Sequence, residues 1–336
     1  MKRHWLVPLT PLYAAGLALR ELRLNKGWEA VQCLRWPVVS IGNLSTGGSG
    51  KTPLTIALAR ALTQRGVQVD VLSRGYGRQS KLPARVSIGE SAEAFGDEPL
   101  LMAREAGVAV YVAAERYQAG LMAEAARPAS PHLAVHLLDD GFQHRQLHRD
   151  LDIVLLDRQD WQDSLLPAGN LREPRKALSR AGVIAITAEG PGLEPDLQKD
   201  LKAWGWQGPL WRLHRKMEVP AVEEPVVAFC GIARPEQFFE GLEAGGLHVA
   251  ARFAFRDHHR YSAADLKRLA SAARSAGAGV LLTTGKDFVR LGKLASDFPE
   301  SLRLQTAGLR IEIENVSEAI DWLEGRLKSS SADPRL

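Results

Sequence analysis

Residues 45–52 have the composition of a loop that binds phosphate. Glycines let backbone N–H groups close around phosphate oxygens, while a lysine and the hydroxyl after it can engage the β/γ-phosphates and Mg²⁺. An apolar run at 37–42 precedes the loop and a helical pattern at 51–65 follows it, which is the setting that a P-loop requires. The candidate nucleotide-binding residues are Ser45, Thr46, Gly47, Gly48, Ser49, Gly50, Lys51 and Thr52.

One position of this loop departs from the general P-loop pattern. Ser45 stands where glycine is usual, although Gly47 and Gly48 could supply the turn. A glycine-rich turn with an incidental lysine is the alternative interpretation. If the loop is a P-loop, Lys51 neutralises charge during phosphoryl transfer and Thr52 is a ligand of Mg²⁺.

Two adjacent carboxylates, Asp139 and Asp140, end the apolar run at 133–138. Ligands of open α/β sheets bind at the carboxyl ends of the strands, so this pair fits a magnesium site. A turn with solvated carboxylates is the alternative. Glu173 is a third candidate ligand, and its neighbour Arg172 could clamp a phosphate, unless both lie in a solvated loop.

Two further motifs could bring reactive or substrate-binding groups to such a site. Asp97 lies at a turn before an apolar helical pattern, where a carboxylate either caps the helix or takes part in chemistry. The motif at 73–78 combines flexible glycines with Arg74 and Tyr76. It suits contact with an anionic or polar substrate, and it suits a surface turn equally well.

Residues 257–261 gather titratable groups in the C-terminal half of the chain. His258 and His259 are adjacent, and the spacing of a zinc-binding helix is absent from the motif. Neighbouring histidines are more often surface groups than catalytic ones. The residues alone do not choose between a surface position and a role in catalysis.

The elements that must position these residues alternate between strands and helices. Apolar runs predict strands at 37–42, 69–72, 108–112, 133–138, 153–156 and 183–187. Helical patterns lie between several of these runs. The alternation predicts an α/β fold, with a P-loop NTPase-like, mostly parallel sheet and helices on both of its faces. A second alternation over 226–283 predicts another, smaller α/β domain.

The length of 336 residues, with 45% hydrophobic and 24% charged residues, is typical of a soluble globular protein of about two domains. Cys33 and Cys230 are the only cysteines, so a disulfide scaffold is excluded and a reducing compartment is favoured. The predicted organisation is an N-terminal helix at 1–26, a nucleotide-binding domain at 27–210, a linker at 211–225, a smaller domain at 226–328 and a disordered tail at 329–336.

The net charge of +4 belongs to one end of the chain. Residues 1–26 carry five basic residues and one acidic residue, so the remaining chain is balanced. A generally basic nucleic-acid-binding protein is therefore disfavoured. No strand end carries the NKxD motif that selects guanine, which favours ATP over GTP.

Residues 5–19 are uncharged, but this run is shorter than the ~18 residues that predict a membrane-spanning helix. A helix from about residue 11 to 26 would have an apolar start and a basic end. It could pack on its own domain, or it could anchor the protein at an anionic membrane surface. A cleaved signal peptide is the third alternative.

Six motifs in one order resemble a single known family. They are GNLSTGGSGKTP at 42–53, SRGYGR at 73–78, GDEP at 96–99, DDGFQHR at 139–145, NLREP at 170–174 and DHHRY at 257–261. Together they resemble tetraacyldisaccharide 4′-kinase, the lipid A 4′-kinase of Gram-negative bacteria. The resemblance extends from the N-terminal helix to about residue 290, and serine at position 45 is itself typical of this family.

The resemblance implies transfer of the ATP γ-phosphate to the 4′-hydroxyl of a tetraacylated, 1-phosphorylated glucosamine disaccharide. It implies that Asp97 and His258 form a catalytic pair across a cleft between two domains, with His259 as the other candidate partner. In such a pair Asp97 can accept the proton of the alcohol, and His258 would orient it or share the proton. Gln143 and His144 of the DDGFQHR motif become substrate-binding candidates beside Arg74, Tyr76 and Arg172.

The resemblance also implies a location. The N-terminal helix would engage the cytoplasmic face of the bacterial inner membrane, as a peripheral or monotopic attachment. The expected cofactors are ATP and Mg²⁺, the expected partner is the acylated disaccharide lipid rather than a nucleic acid, and a monomer is expected.

Two rival functions follow from parts of the sequence. A P-loop switch ATPase of the partitioning or metallochaperone type has a similar loop, but those proteins carry lysine where this chain has Thr46. A nucleic-acid-binding module is suggested only by the basic isoelectric point of about 9.1, and the balanced charge of residues 27–336 opposes it.

Overall fold

The computed structural model describes residues 3–47, 50–127, 133–187 and 193–331. Twelve strands within these residues form one hydrogen-bonded array. The strands are β1 (Val38–Asn43), β2 (Gln68–Ser73), β3 (Ala84–Arg85), β4 (Ala109–Val112), β5 (Ala134–Asp139), β6 (Leu151–Leu156), β7 (Val183–Thr187), β8 (Leu210–Glu218), β9 (Val226–Cys230), β10 (Val249–Ala254), β11 (Val280–Thr284) and β12 (Arg303–Ile313). Their spatial order is β10-β9-β11-β12-β8-β7-β6-β1-β5-β2-β4-β3.

Eleven α-helices within the described residues accompany the sheet. They are α1 (Thr10–Asn25), α2 (Lys51–Gln64), α3 (Ala92–Phe95), α4 (Asp97–Ala106), α5 (Arg116–Ala126), α6 (Arg158–Gln162), α7 (Leu193–Ala203), α8 (Pro235–Ala244), α9 (Ala263–Ser275), α10 (Gly285–Leu291) and α11 (Val316–Ser331). Three 3₁₀ segments occupy His4–Leu9, Arg175–Arg180 and Gly292–Asp297.

The larger part of the sheet is parallel from β8 through β4, and the predicted strands of this part are present. β1 lies between β5 and β6, and all six residues of each of these three strands are buried. Strands covered on both faces read as continuous apolar runs, which is why the sequence predicted them well. The prediction of a mostly parallel sheet with helices on both faces is confirmed.

The smaller part of the sheet, β10-β9-β11 with the first half of β12, is also parallel. Phe238 and Phe239 of α8 pack on one face, and Leu266 and Leu269 of α9 pack on the other. This arrangement agrees with the second α/β alternation read from the sequence.

The segment predicted as a linker at 211–225 differs from that expectation. Leu210–Glu218 is strand β8, which pairs in parallel with β7 and in antiparallel orientation with the second half of β12. The alternating exposure of β8, with many charged residues on the open face, made the segment resemble a linker in the sequence. A two-stranded antiparallel connection therefore joins the two parts of the sheet.

The C-terminal segment also departs from the predicted boundaries. Ile320, Leu323 and Leu327 of α11 belong to the core that covers β1 and β2, so the chain returns to the larger part after β12. The tail expected to be disordered from Ser329 is helical through Ser331, and residues 332–336 lie outside the described range.

Helix α1 lies at the surface, and none of its residues is fully buried. Leu12 is 74% exposed, and Trp5 in the preceding turn is 79% exposed. Within the described residues, no helix has the length and hydropathy needed to cross a membrane.

Candidate active site

The P-loop follows β1 directly and leads into α2. Gly50 precedes the first residue of α2 with φ +94°, a backbone conformation that glycine adopts without strain. Gly47 also has a positive φ, of +145°. Thr52 is 5% exposed in the first turn of the helix. The candidates Gly48 and Ser49 lie outside the described residues.

Asn43, at the end of β1, joins the groups around the P-loop. Its side chain is fully buried, and its Oδ1 accepts hydrogen bonds from Lys51 Nζ at 3.0 Å and from Arg172 at 2.5 Å. Its Nδ2 donates to Ser45 Oγ at 3.1 Å, and its backbone carbonyl accepts from Gln143 Nε2 at 3.0 Å. Two cations are thereby held on one oxygen, beside the loop that would receive phosphate.

Sequence reasoning did not assign Asn43 a role. The available signal was an amide at the end of a buried apolar strand, immediately before a P-loop. A buried polar side chain requires hydrogen-bond partners, so its presence there already indicated that charged or polar groups would converge on it.

Asp139 and Asp140 follow the same strand but have opposite environments. Asp139 is 4% exposed and accepts a hydrogen bond from Ser73 Oγ at 3.2 Å. Burial, followed by the charges of Glu98 and Asp140, raises its pKa to about 7. Burial acts on Asp140 in the same direction, but Arg172 and Lys51 outweigh it and lower the pKa of Asp140 to about 2.

The pairing of Asp140 with Arg172 is bidentate. The two terminal nitrogens of Arg172 donate to the two carboxylate oxygens at 2.8 and 3.1 Å. Lys51 Nζ lies 3.5 Å from Asp140 Oδ1. Asp140 adopts a positive φ of +48°, which turns the chain sharply after β5 and places this carboxylate between the two cations.

The residues near Thr52 fit a magnesium ion, although no ligand is part of the structure. Mg²⁺ keeps several waters and takes one or two carboxylates together with phosphate oxygens. Asp139 supplies a buried carboxylate whose hydrogen bond comes from the neutral hydroxyl of Ser73. A bound cation would therefore stabilise its ionised form. No cluster of three or more His, Cys, Asp or Glu side chains that could hold a metal occurs in the described ranges, so phosphate oxygens would have to complete the coordination.

The third carboxylate candidate, Glu173, is differently placed. It is 8% exposed, and its Oε2 accepts a hydrogen bond from Arg180 at 2.7 Å. Its other oxygen is buried without a hydrogen-bond partner. Because Glu173 already has its own cation, it is a weaker candidate for Mg²⁺ than Asp139.

A cluster of positive charge lies beside this carboxylate pair. Arg116 is 8% exposed, and burial together with the charge of Arg74 lowers its pKa to about 10. Burial, followed by the charges of Arg116 and other arginines, lowers the pKa of His144 to about 4. His144 is thus neutral at physiological pH, and this concentration of cations suits an anionic group.

Arg116 was not recognised from the sequence. It begins α5, in a stretch without glycine-rich or acidic motif residues, so nothing local distinguished it from a solvated helix residue. Its burial is visible only in the folded chain, where one terminal nitrogen donates to the carbonyl of Ala114 at 2.9 Å and Nε has no hydrogen-bond partner.

The predicted pair Asp97 and His258 is brought together from the two parts of the sheet. Asp97 is the first residue of α4 and His258 follows β10 with φ +58°. His258 Nδ1 lies 3.2 Å from Asp97 Oδ2. His259 instead stacks on Phe255 and lies 3.1 Å from Asp265, so His258 is the histidine that faces Asp97.

Ion pairs to the smaller part surround Asp97. Burial opposes its ionisation, but Arg290, Lys286 and His258 outweigh burial and hold the pKa of Asp97 below its ordinary value. Lys286 also pairs with Glu98 at 2.5 Å. Tyr76 is 71% exposed, with its ring centroid 6.2 Å from that of His258, so it lies at the open side of the same cleft.

Helix α1 rests on the loops that carry these residues. Tyr13 donates a hydrogen bond from its hydroxyl to the carbonyl of Arg172 at 2.9 Å. Arg20 donates to the carbonyl of Gln143 at 2.5 Å, and Glu21 pairs with Arg145. The N-terminal helix and the Gln143 and Arg172 loops therefore form one continuous surface.

A strand–loop–helix with Lys51, a carboxylate pair at the end of a neighbouring strand and an arginine clamp define the class of P-loop phosphotransferases. Residues 2–328 match the family model for LpxK, described as tetraacyldisaccharide-1-P 4′-kinase. The chain belongs to this family.

Curated relatives agree with this membership. A tetraacyldisaccharide 4′-kinase of Koribacter versatilis is 45% identical over 298 residues, covering 85% of this chain and 88% of the relative. The enzyme of that name from Geobacter metallireducens is 39% identical over 313 residues, covering 87% and 89%. One from Chromobacterium violaceum is 35% identical and covers 98% of both chains.

A solved structure agrees as well. LpxK from Aquifex aeolicus, crystallised in complex with ATP, superposes with a TM-score of 0.76 at 34% identity and covers 97% of this chain and 99% of its own. The predicted family, fold class and ATP-dependent kinase activity are confirmed, and the switch ATPase alternative is not favoured.

Proposed function

We propose that this chain transfers the γ-phosphate of ATP to the 4′-hydroxyl of a tetraacylated glucosamine disaccharide 1-phosphate. The observation that carries this proposal is the convergence of Lys51 and Arg172 on Asn43, within the larger part that also bears Asp97. A phosphate clamp and a proton-transfer pair are the two components that phosphorylation of an alcohol requires.

The clamp holds the transferred phosphoryl group. Lys51 is the first residue of α2, beside the loop. A small displacement of its side chain away from Asp140 would therefore bring Nζ to the phosphate oxygens. Arg172, fixed by Asn43 and Asp140, presents its guanidinium to developing negative charge. Mg²⁺, when bound by Thr52 and Asp139, would spread the charge of the β- and γ-phosphates.

The geometry favours His258 over Asp97 as the group that accepts the proton. Sequence reasoning placed the proton on Asp97, with His258 orienting it or sharing the proton. In the structure Asp97 Oδ2 accepts from Arg290, and Asp97 Oδ1 accepts from the backbone N–H of Glu98 at 3.0 Å. A carboxylate so fully bonded, with a lowered pKa, is a weak base.

The proton path then follows from the exposed position of His258, whose side chain is 50% exposed while that of Asp97 is 8% exposed. His258 Nε2 would take the proton of the 4′-hydroxyl as the sugar oxygen bonds to phosphorus and the bond to ADP breaks. Asp97 would hold the proton on Nδ1 and stabilise the imidazolium that forms.

The cationic cluster of Arg74, Arg116 and Arg172 suits the phosphorylated substrate. Its positive charge would attract a headgroup that already carries a 1-phosphate. Gln143, His144 and Tyr76 are the proposed contacts of the sugar. A neutral His144 offers one donor and one acceptor, which matches hydroxyl groups better than phosphate.

The membrane is the proposed source of the substrate. Trp5 and Leu12 are exposed, while Arg20, Arg23 and Lys26 lie towards the other end of α1. An apolar end in the interface and a basic end on anionic headgroups is the arrangement of a monotopic attachment. We infer from the use of ATP that this surface meets the cytoplasmic face of the inner membrane, and we expect the enzyme to act as a monomer.

The decisive experiment is transfer from γ-labelled ATP to purified tetraacyl disaccharide 1-phosphate in detergent micelles. A labelled bis-phosphorylated lipid is expected. ATP binding and hydrolysis without a lipid product would contradict the proposal and support the switch ATPase.

Membrane attachment has its own test, by flotation with vesicles that contain anionic lipid. Replacing Trp5 and Leu12 together by serine should move most of the protein from the floated to the soluble fraction. Ile88→Ser is the matched control, because Ile88 is 63% exposed beside the amino ends of β2 and β4. Equal flotation of the double variant and the control would place the attachment elsewhere.

A further inference from the structure

Arg290, on α10, contacts both Asp97 and His258, and the proton path above gives it no role beyond its ion pair with Asp97. Its side chain is 7% exposed. Nε donates to Asp97 Oδ2 at 2.9 Å, and one terminal nitrogen donates to the same oxygen at 2.5 Å. The other terminal nitrogen donates to Asp287 Oδ1 at 3.0 Å. A buried guanidinium with polar partners in both parts of the molecule is a candidate for a role in the site and not in packing alone.

The Nδ1 atom of His258 has two neighbours that require opposite protonation states. It lies 3.2 Å from Asp97 Oδ2 and 3.2 Å from a terminal nitrogen of Arg290. An ionised carboxylate only accepts hydrogen bonds, so the contact with Asp97 needs a proton on Nδ1. A guanidinium only donates, so the contact with Arg290 needs a bare Nδ1. The hydrogen bond from Arg290 and a hydrogen bond from Nδ1–H to Asp97 therefore exclude each other.

We propose that Arg290 is a positioning residue that selects the tautomer of His258. While Arg290 donates to Nδ1, the proton of the neutral imidazole lies on Nε2, and Nε2 cannot accept the sugar proton. When Nδ1–H donates to Asp97 instead, Nε2 is free to act as the base. This inference rests on the proposed function, because the tautomer matters only if His258 takes the proton.

The surrounding contacts determine which residues move together. Arg290 and the backbone N–H of His258 both donate to the carbonyl of Gly231, at 2.5 and 3.1 Å. Asp287, which is fully buried, also accepts from the Tyr261 hydroxyl at 2.9 Å. Arg290 and His258 are thus fixed to the smaller part, whereas Asp97 belongs to the larger part. The separation of α4 from α10 therefore decides which partner Nδ1 takes.

The titratable groups facing His258 come from four directions. Asp97 faces it from α4, Arg290 from α10, Tyr76 from the loop at 73–78, and Asp257 from its own loop, with 3.9 Å between Nε2 and Oδ1. Lys286 and Asp287 on α10 act on the same group through Asp97 and Arg290. Removing the positive charge of Arg290 leaves two carboxylates near the imidazole and favours its protonated form.

The test compares Arg290→Met with Arg104→Met. Both remove an arginine where α4 meets α10, but Arg104 stacks over the Phe288 ring at 4.0 Å and is not among the groups around His258 described above. In Arg290→Met, the acid limb of the pH profile of kcat is expected to move to higher pH by about one unit, with KM for ATP unchanged. Arg104→Met should keep the wild-type profile.

Arg290→Lys is the conservative variant. It keeps the charge, so the acid limb should stay within a few tenths of a unit of the wild-type position. A single ammonium cannot bridge Asp97 and His258 as the planar guanidinium does, so kcat should still fall. If the acid limb does not move in either Arg290 variant, the proposal is overturned. Arg290 would then only link the two parts structurally through its ion pairs with Asp97 and Asp287.

The tautomer of His258 can also be measured directly, so that the proposal remains testable if a variant loses activity by misfolding. Nitrogen-15 spectra of selectively labelled histidine report which ring nitrogen carries the proton, and His258→Ala assigns the signal. We expect a population with Nε2–H in ligand-free wild type that is lost in Arg290→Met. Identical tautomer populations in the two proteins would refute the selection.

The same variant separates this inference from the proposed function. If His258→Ala keeps wild-type kcat, the catalytic pair is wrong and the proposed proton path fails. If His258→Ala is inactive while Arg290→Met shifts neither the pH profile nor the tautomer, only the role of Arg290 fails.

Discussion

Lys51 and Arg172 meet on one side-chain oxygen of Asn43, whereas Asp97 and His258 approach one another from separate parts of the sheet. The first group is assembled from β1, α2 and the loops after β5 and β6, all within the larger part. The second requires α4 and the loop after β10 to come together. The phosphate clamp is therefore preorganised, while the proton-transfer pair depends on the relative position of two parts.

This difference suits the chemistry of a kinase that must not waste ATP. A preorganised clamp would bind nucleotide whether or not the acceptor is present, since its cations need little rearrangement. The proposed base is instead assembled from two parts of the sheet, which meet at the contact between Asp97 and His258, so an acceptor bound between these parts would be shielded from water. The antiparallel pair of β8 and β12 connects the two parts.

The largest effect is expected from a substitution in the preorganised group around Asn43. Lys51→Ala removes the cation beside the P-loop and should lower kcat/KM by about 10³-fold or more, and it should weaken ATP binding as well. Activity can be measured with the labelled lipid assay and affinity by calorimetry. A variant with near-normal turnover would exclude the P-loop assignment.

A substitution in the pair of Asp97 and His258 should lower turnover without changing ATP affinity. Asp97→Ala should lower kcat by about 10²-fold and leave ATP affinity close to that of the wild type, because the proposed role of Asp97 is in proton transfer and not in nucleotide binding. Comparing the two constants sharpens the contrast with Lys51→Ala. A selective loss of ATP affinity would instead make Asp97 a nucleotide or metal ligand.

A smaller effect is expected where the two cations are joined. Asn43→Ala leaves Lys51 and Arg172 in place but removes the oxygen that both contact, so the clamp loosens. We expect kcat to fall between about tenfold and a hundredfold, with the lipid KM little changed. If Asn43→Ala behaves like the wild type, the preorganisation of this half does not depend on the shared oxygen.

The smallest effect concerns stability and distinguishes the two adjacent carboxylates. The pKa of Asp139 is raised to about 7, above that of an unfolded aspartate. The unfolded chain therefore ionises first, and the free energy of unfolding falls as the pH rises from about 4 to about 7. Asp139→Asn should therefore raise the Tm of the ligand-free protein by a few degrees at pH 8, and by little at pH 4.

Asp140 provides the matched control for this measurement. Its pKa is lowered to about 2, so its ionised form stabilises the fold above about pH 4, and the contribution is lost as pH falls through 2. Asp140→Asn should lower the Tm at pH 8. Thermal denaturation across the pH range checks both signs, and a lower Tm for Asp139→Asn at pH 8 would contradict the assigned burial cost.

The sequence was sufficient wherever the determining interactions are local. The strand before the P-loop, the turn at its glycines and the helix from Lys51 are consecutive in the chain, so their pattern predicted their structure. The buried strands β1, β5 and β6 were predicted for the same reason, because burial on both faces leaves a continuous apolar run.

Other features were not readable because their partners are distant in the chain. β8 pairs with β12, whose residues follow it by roughly ninety positions, and its charged, alternating pattern alone resembled a linker. Likewise α11 shows an amphipathic pattern that cannot say which part of the molecule it covers. Strand pairing and helix docking over such separations are decided by the packing of the whole chain.

The sequence by itself determined the class of chemistry, because a P-loop with carboxylates at strand ends needs only residue types, spacing and local conformation. The tertiary structure decided how those residues work. It placed His258 rather than His259 against Asp97, shifted the pKa values of Asp139 and Asp140 in opposite directions, and brought Arg290 into contact with both members of the proposed catalytic pair. Burial and Coulomb interactions act through space, so the properties of each group depend on neighbours that the linear order of residues does not reveal.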